Sequence, residues 1–496
     1  MSQIKFSVAA RRAGVLLPVA SLPGAHGVGD FGKDAYDFVD SLHKGGFTLW
    51  QILPLNPLGY GHSPYQPFSS FAMDELYVDL FDLAEEGYLD HLPPFEPTPG
   101  KVSYERSREY KLPLLHKAFE AQMEKDPSCL EEFKEKEPWI KDFAAFMMFK
   151  RRDERSWDNW ADRDWIKGRK PFAGKDKEDY DFEVWLQMTL YRQWGKLHAY
   201  ALSKNIEIIG DIPFYVGFDS CDVWASQDSF LLDPSSKQPT FIAGVPPDYF
   251  SATGQRWGNP IYDWDKLVAT DFAFIINRIV RNSKIYDYIR LDHFRAFDTY
   301  WKIPASCPTA IEGEWIEAPG YALFDRLLKD HPEIKIIAED LGDLRPEVLT
   351  LRDHYNFPGM NVIEFTFDDD AIAKKPGYDS ANSVCYIGTH DNDTARGYFA
   401  SLPSSQQESW RKALTEHGCH DLDIVDALIS YCLNKEGRFA ILSAQDILGL
   451  GTEARLNVPG IVDDVNWTWR LDSLSALCSR IEGLLPKLKK AKRDAK

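Results

Sequence analysis

Short aliphatic and β-branched runs recur along the whole chain, at 14–19 (GVLLPV), 48–55 (TLWQILPL), 206–214 (IEIIGDIPF), 286–293 (YDYIRLDH), 334–339 (IKIIAE), 360–367 (MNVIEFTF), 383–390 (SVCYIGTH) and 439–446 (FAILSAQD). Each ends in polar or glycine-rich residues rather than in a hairpin turn, the pattern of a parallel strand buried on both faces. Amphipathic stretches at 30–44, 184–204, 321–331 and 422–434 fall between them, and 404–418 begins with Ser405 and Glu408 at capping-box spacing. Strands joined by helical crossovers pair in parallel, and eight of them predict an α/β fold, a (β/α)8 TIM barrel. A ninth extended run at 300–304 (YWKIP) is one too many for that count and is placed in a loop.

Two connections, 56–205 and 215–285, are far longer than a βα unit needs. They predict large subdomain insertions in the βα loops of a single catalytic barrel domain spanning 1–496: a helical one after strand 2, and after strand 3 one that includes a site-covering loop. Within the first, the charged stretch around 104–155 sets Leu112, Leu115, Phe119 and Met123 on one face, which predicts a solvated helix packed on the barrel wall. The second is rich in Pro, Gly, Trp and Tyr. The lysine-rich end, 487–496, reads as a solvated helix end or tail.

Composition narrows the class of partner. Hydrophobic residues at 44% and charged residues at 27% sit near the averages for globular proteins, against a membrane-embedded or largely disordered chain. The 76 acidic residues outnumber 57 basic ones, and a net charge of −19 disfavours nucleic acid or an anionic membrane as the main partner. Aromatic residues reach 14%, which a large core explains, although such rings also stack on sugars. Seven cysteines, at 129, 221, 307, 385, 419, 432 and 478, form no CxxC pair and suit free thiols in a reducing compartment. The first residues lack the order of a signal peptide, and no window holds the ~18 apolar residues of a membrane span. The expectation is a soluble, cytoplasmic protein.

Barrel enzymes carry their chemistry at the C-terminal ends of the strands, and here those ends are rich in carboxylates: Asp211, Asp292, Glu339, Asp391 and Asp446. Singly, each reads first as a helix cap or an ion pair; it is the repetition that points to a shared site. Arg290 lies two residues before Asp292 and so enters the barrel on the same face, where a cation would hold the carboxylate ionised for nucleophilic attack; a purely structural Arg–Asp pair is the alternative. Glu339 ends an apolar run among acidic neighbours, and both effects raise a carboxyl pKa into the range of a general acid, unless a neighbouring cation pairs with it. His390, Asp391 and Asp393 in GTHDNDT could ligate a metal or grip sugar hydroxyls. With no second cluster at ligand-like spacing, no catalytic metal or other cofactor is expected, and a bound structural ion stays open.

Eight segments together carry a resemblance: RRAGVLLPVASLPGAHGVGDFG (11–32), WQILPLNPLGYGHSPYQPFSSFA (50–72), GDIPFYVGFDSCDVWA (210–225), GVPPDYFSATGQRWGNPIYDW (244–264), IRLDHFRAF (289–297), IIAEDLG (336–342), GTHDNDT (388–394) and RLNVPG (455–460). The chain resembles the 4-α-glucanotransferase family, also called amylomaltase or disproportionating enzyme, a relative of the α-amylase group. The resemblance implies transfer of an α-1,4-glucan segment to the 4-hydroxyl of an acceptor, by a retaining double displacement through a glycosyl ester on Asp292. It implies Glu339 as general acid/base and Asp391 as stabiliser of the transition state. Arg290, His293 and His390 match the subsite holding the cleaved bond, with Asp211 a further sugar contact. Asp248, Tyr249, Phe250, Gln255 and Trp257 match a loop overhanging the cleft, Tyr60, Ser63 and Tyr65 a segment lining the donor side, and Asn457 a late loop near it. α-1,4-Glucans and maltooligosaccharides are then donor and acceptor. A retaining mechanism calls for carboxyl groups about 5 Å apart. An α-amylase-type hydrolase, using the same three carboxylates but releasing product to water, is the competing reading.

Overall fold

A computed structural model describes residues 11–247, 251–342, 344–365, 380–461, 463 and 465–495. Twelve strands are present among them: β1 (Arg12–Leu16), β2 (Leu49–Gln51), β3 (Glu207–Ile212), β4 (Phe241–Val245), β5 (Gln255–Pro260), β6 (Tyr288–Leu291), β7 (Thr299–Pro304), β8 (Glu314–Glu317), β9 (Ile336–Ala338), β10 (Gly359–Val362), β11 (Ser383–Tyr386) and β12 (Phe439–Ser443). Eight form one parallel sheet in the order β10-β11-β12-β1-β2-β3-β6-β9. The Ala338 amide donates to the Pro358 carbonyl (2.9 Å), which brings β9 against the entry to β10 and closes the ring as a (β/α)8 barrel. These are the eight apolar runs of the sequence.

Strand alternation sorts the barrel interior by height. Leu16, Leu49, Ile209, Tyr288, Ile337, Met360, Val384, Tyr386, Phe439 and Ile441 form an apolar cluster inside the ring. Two residues further along three of the same strands come Asp211, Arg290 and Glu339, so the inward face turns from aliphatic to charged towards the C-terminal mouth. The outward residues, among them Val15, Trp50, Ile208, Ile289 and Ile336, pack beneath the surrounding helices. Those include Lys33–Lys44, Lys175–Ser203, Gly320–Asp330 and Ile424–Asn434, at the amphipathic stretches.

Three expectations change. The run 300–304 is not a loop: β7 is a strand of a second, antiparallel sheet in the order β5-β4-β7-β8, with Ile303 opposite Ile242 and Trp301 opposite Trp315. One partner, β4, lies far upstream, and the nearby one, β8, reads EWIE and is too polar and exposed to stand out as a hairpin mate. The helix Ser404–Glu416 does not use Ser405 and Glu408 as a capping box; Pro403 stands at its N-cap, and both residues lie inside the helix. The helix Tyr104–Lys125 buries Leu115 and Phe119 as expected, yet its main packing is against Glu75–Tyr77, Leu80–Glu85 and Lys175–Ser203 rather than a barrel strand. Among the described residues no helix is long and apolar enough to cross a membrane, and all seven cysteines are free thiols.

Candidate active site

The mouth of the barrel is organised by one buried cation. Arg290 and Asp211 face each other across the β3–β6 pair. The Arg290 guanidinium donates to both Asp211 oxygens (2.9 and 2.7 Å) and reaches Asp292 Oδ1 at 2.9 Å. Burial alone would favour discharge of this group, but the two carboxylates outweigh it and hold it firmly charged. Asp292 itself is tied through its backbone: its amide donates to the Ile212 carbonyl (3.0 Å), fixing the end of β6 to the end of β3.

Glu339 sits across from it. His293 follows Asp292 in the left-handed region (φ 50°), a conformation that costs a non-glycine residue roughly 1–2 kcal/mol and turns the chain into the Phe294–Phe297 turn. That turn points the His293 amide at Glu339 Oε2 (2.8 Å), while the Leu341 amide donates to Oε1 (3.0 Å). Burial, and second the negative charge of Asp292, push the Glu339 carboxyl up to about 7. The His293 ring is kept neutral by burial, its pKa lowered to about 4. The Trp257 and His293 rings lie perpendicular, with centroids 5.0 Å apart.

On the opposite side, Tyr65 bridges the arginine cluster to the 389–394 loop. Its hydroxyl donates to Asp211 Oδ2 (2.8 Å) and lies 2.8 Å from His390 Nε2, with the two rings stacked at 5.3 Å. Asp391 remains partly exposed at the mouth. Its Oδ1 accepts from Asn457 Nδ2 (2.7 Å), and its carbonyl accepts from Arg455 (2.8 Å). Ser63 Oγ accepts from the Tyr65 amide (3.3 Å), and Gln255 Oε1 from the Trp257 indole (3.1 Å), so both shape the rim.

A family model described as 4-alpha-glucanotransferase matches residues 17–475. The chain belongs to the 4-α-glucanotransferase family. A 4-alpha-glucanotransferase of Thermus thermophilus is 41% identical over 480 residues, covering 93% of this chain and 95% of the relative. That of Synechocystis sp. is 42% identical over 482 residues, covering 93% and 94%. A solved structure described as amylomaltase from Streptococcus agalactiae in complex with acarbose is 35% identical, covers 98% of this chain and 100% of its own, and superposes with a TM-score of 0.92.

Against the family pattern, the fold brings together Asp292, Glu339, Asp391, Asp211, Arg290, His293, His390, Tyr65, Trp257 and Asn457 at the barrel mouth, with Ser63 and Gln255 at its rim. Asp248, Tyr249 and Phe250, and the side chain of Tyr60, lie outside the described residues. Asp446, a strand-end carboxylate in the sequence, lies instead inside the helix Ala444–Leu448, where its Oδ1 accepts from the Ala395 amide (2.7 Å). Asp393 turns away from His390 to accept from Thr452 Oγ1 (2.8 Å). Among the described residues no group of three or more His, Cys, Asp or Glu side chains is arranged to hold a metal.

Two participants are not apparent from spacing. Trp467, held at φ 67°, packs on both Tyr65 (5.8 Å) and His390 (6.1 Å) and so backs the pair that positions Asp211. Arg455 also donates to the Asn457 carbonyl (2.8 Å), bracing the amide that holds Asp391. The tryptophans of NWTWR near the C-terminal end were the only trace of the first; RLNVPG contained the second unrecognised.

Proposed function

We propose that this 4-α-glucanotransferase works by a retaining double displacement on α-1,4-glucans at the Asp292–Glu339 pair. A donor glucan lies across the mouth with its scissile bond between the two carboxyl groups. Asp292, oriented by Arg290, attacks the anomeric carbon as the C–O bond breaks, and Glu339 gives its proton to the departing 4-oxygen. The glycosyl ester on Asp292 then meets the 4-hydroxyl of an acceptor glucan. Glu339, now ionised, removes that proton, the acceptor oxygen attacks the anomeric carbon, and Asp292 is released with Glu339 protonated again. Asp391, oriented by Asn457, accepts hydrogen bonds from sugar hydroxyls that strengthen as positive charge develops on the ring.

The observation that carries this reading is the environment of Glu339, a carboxyl held near 7 by burial and by Asp292, beside a carboxylate clamped by arginine. The acarbose bound by the Streptococcus agalactiae amylomaltase supports a glucan-shaped cleft. We further read 56–205 and 215–285 as units inserted in the barrel, with the described part of 244–264, Trp257 against His293 in particular, covering the ester so that an acceptor sugar competes with water. Tyr60 would line the donor side. Seven free thiols support a reducing, cytoplasmic setting.

Incubation with maltotriose tests the reading. Glucose plus a ladder of oligosaccharides longer than the substrate is the expected outcome. Conversion to glucose and maltose alone, with no chain lengthening, would show hydrolysis and overturn it.

A further inference from the structure

The backbone leaving β3 is held by a second buried arginine. Arg278, on the helix Ala273–Ser283, is only 3% exposed. Its guanidinium donates to the carbonyls of Pro213 (2.8 Å) and Phe214 (3.1 Å), to the Tyr262 hydroxyl (2.9 Å) and to Ser70 Oγ (2.9 Å). Tyr262 in turn donates to the Phe214 carbonyl (2.6 Å), and Asn259 to the Val216 carbonyl (2.9 Å). Ser70 donates to Asp222 Oδ1 through its hydroxyl and to Oδ2 through its amide, both at 2.7 Å, so the arginine's charge is answered through a serine rather than by direct pairing.

Residues 213–216 therefore have three of their four carbonyls fixed from outside the barrel. The residue just before them, Ile212, supplies the carbonyl that accepts the Asp292 amide. Arg278 and Asp292 also line one small cavity, of about 10 Å³, together with Ile212, Pro213 and Phe214. A polar group this deeply buried and this fully bonded is a rigid support, and movement of it moves what rests on it.

We propose that Arg278 is a positioning residue for the reaction: it locks the chain after β3 so that the Ile212 carbonyl holds Asp292 at the distance and angle its attack needs. The proposal rests on Asp292 being the nucleophile. The effect is on the chemical step, because none of its partners is a rim group that would meet substrate. A displacement approaching 1 Å at a reacting atom costs on the order of 100-fold in rate.

The test compares wild type, Arg278→Gln, Arg278→Lys, Tyr262→Phe and Asp292→Asn with two donors, maltotriose and α-maltosyl fluoride. Fluoride leaves without a proton from Glu339, and kcat/KM with this donor covers only the steps up to its release, before Glu339 acts as base; a misplaced nucleophile therefore lowers kcat/KM with both donors, while a disturbed Glu339 lowers it with maltotriose alone. Arg278→Gln is expected to lose 10- to 100-fold in kcat/KM with both donors and less than threefold in KM, with Arg278→Lys recovering part of the loss. Tyr262→Phe, which removes one arm of the clamp, keeps the test open should Arg278→Gln fail to fold, and is expected to lose several-fold in kcat/KM with both donors. Lower thermal stability with unchanged kcat/KM per folded molecule, or a loss confined to maltotriose, would overturn the proposal. Activity persisting in Asp292→Asn would instead overturn the nucleophile assignment beneath it.

Discussion

Replacing Glu339 by Gln separates what this residue does for the reaction from what it costs the fold. Moving a carboxyl from its ordinary 4.5 to about 7 disfavours the ionised form by on the order of 3 kcal/mol. Below about pH 4.5 the group is protonated in folded and unfolded chains alike and is neutral to stability. Between there and about 7 only the unfolded chain ionises, so the native state loses stability as pH rises, and above about 7 the loss is complete. Gln removes that loss. It also sets an amide donor against one of the two N–H groups, of His293 and Leu341, that now donate to the carboxyl, which offsets about 1–2 kcal/mol.

Glu339→Gln is therefore expected to be more stable than wild type by about 1–2 kcal/mol at pH 8 and less stable by a similar amount at pH 4. Urea midpoints of the two proteins at both pH values measure the difference, and the wild-type kcat/KM on maltotriose should fall on the alkaline side with a midpoint near 7. A stability difference of the same sign and size at pH 4 and pH 8 would refute the argument that the fold holds Glu339 protonated.

Glu364, 1% exposed with Oε1 unpaired and pushed upward by burial and by Asp446 and Asp393, should behave likewise. Against Glu364→Gln, wild type is expected to lose about 1.4 kcal/mol of stability for each pH unit above about 4.5 until Glu364 ionises, read from urea midpoints; parallel pH curves for the two would contradict this. Tyr65→Phe removes the hydroxyl bridging Asp211 and His390 and should lower kcat/KM on maltotriose by about 10-fold or more, the equivalent of one lost charge-assisted hydrogen bond. Arg493, fully buried, donates to the carbonyls of Leu433, Arg12, Arg438, Lys435 and Gly437 under the barrel. Arg493→Ala should cost on the order of 3 kcal/mol through the acceptors it leaves buried, visible as a lower urea midpoint with kcat unchanged.

The barrel strands were legible because a parallel strand buried on both faces has to be a continuous apolar run, and the inward charges because alternation carries Tyr288 to Arg290 and Asp292 on one face. The antiparallel sheet was not, since β8 reads EWIE and is largely exposed, and β7 finds its partner β4 only across the fold. Spacing could place Asp292 and Glu339 at strand ends but not assemble the site around them. Tyr65 meets His390 across 325 residues, and Asn457 meets Asp391 across 66. The lysine-rich end looked like a solvated tail, yet Arg493 is fully buried against the carbonyls of Arg12 at the start of β1 and of the 433–438 connection leading into β12; a buried arginine whose partners are all carbonyls leaves no charge pattern in the sequence.

A retaining double displacement requires a covalent bond between the sugar and Asp292. A 5-fluoro-α-maltosyl fluoride, whose ring fluorine slows both steps and whose leaving group keeps the first one the faster, should accumulate the glycosyl-enzyme. Peptide mass spectrometry is then expected to find one sugar per chain, on the peptide containing Asp292, and none in Asp292→Asn. A label on Glu339 or Asp391, or steady turnover of the reagent with no labelled peptide at any time point, would contradict the account.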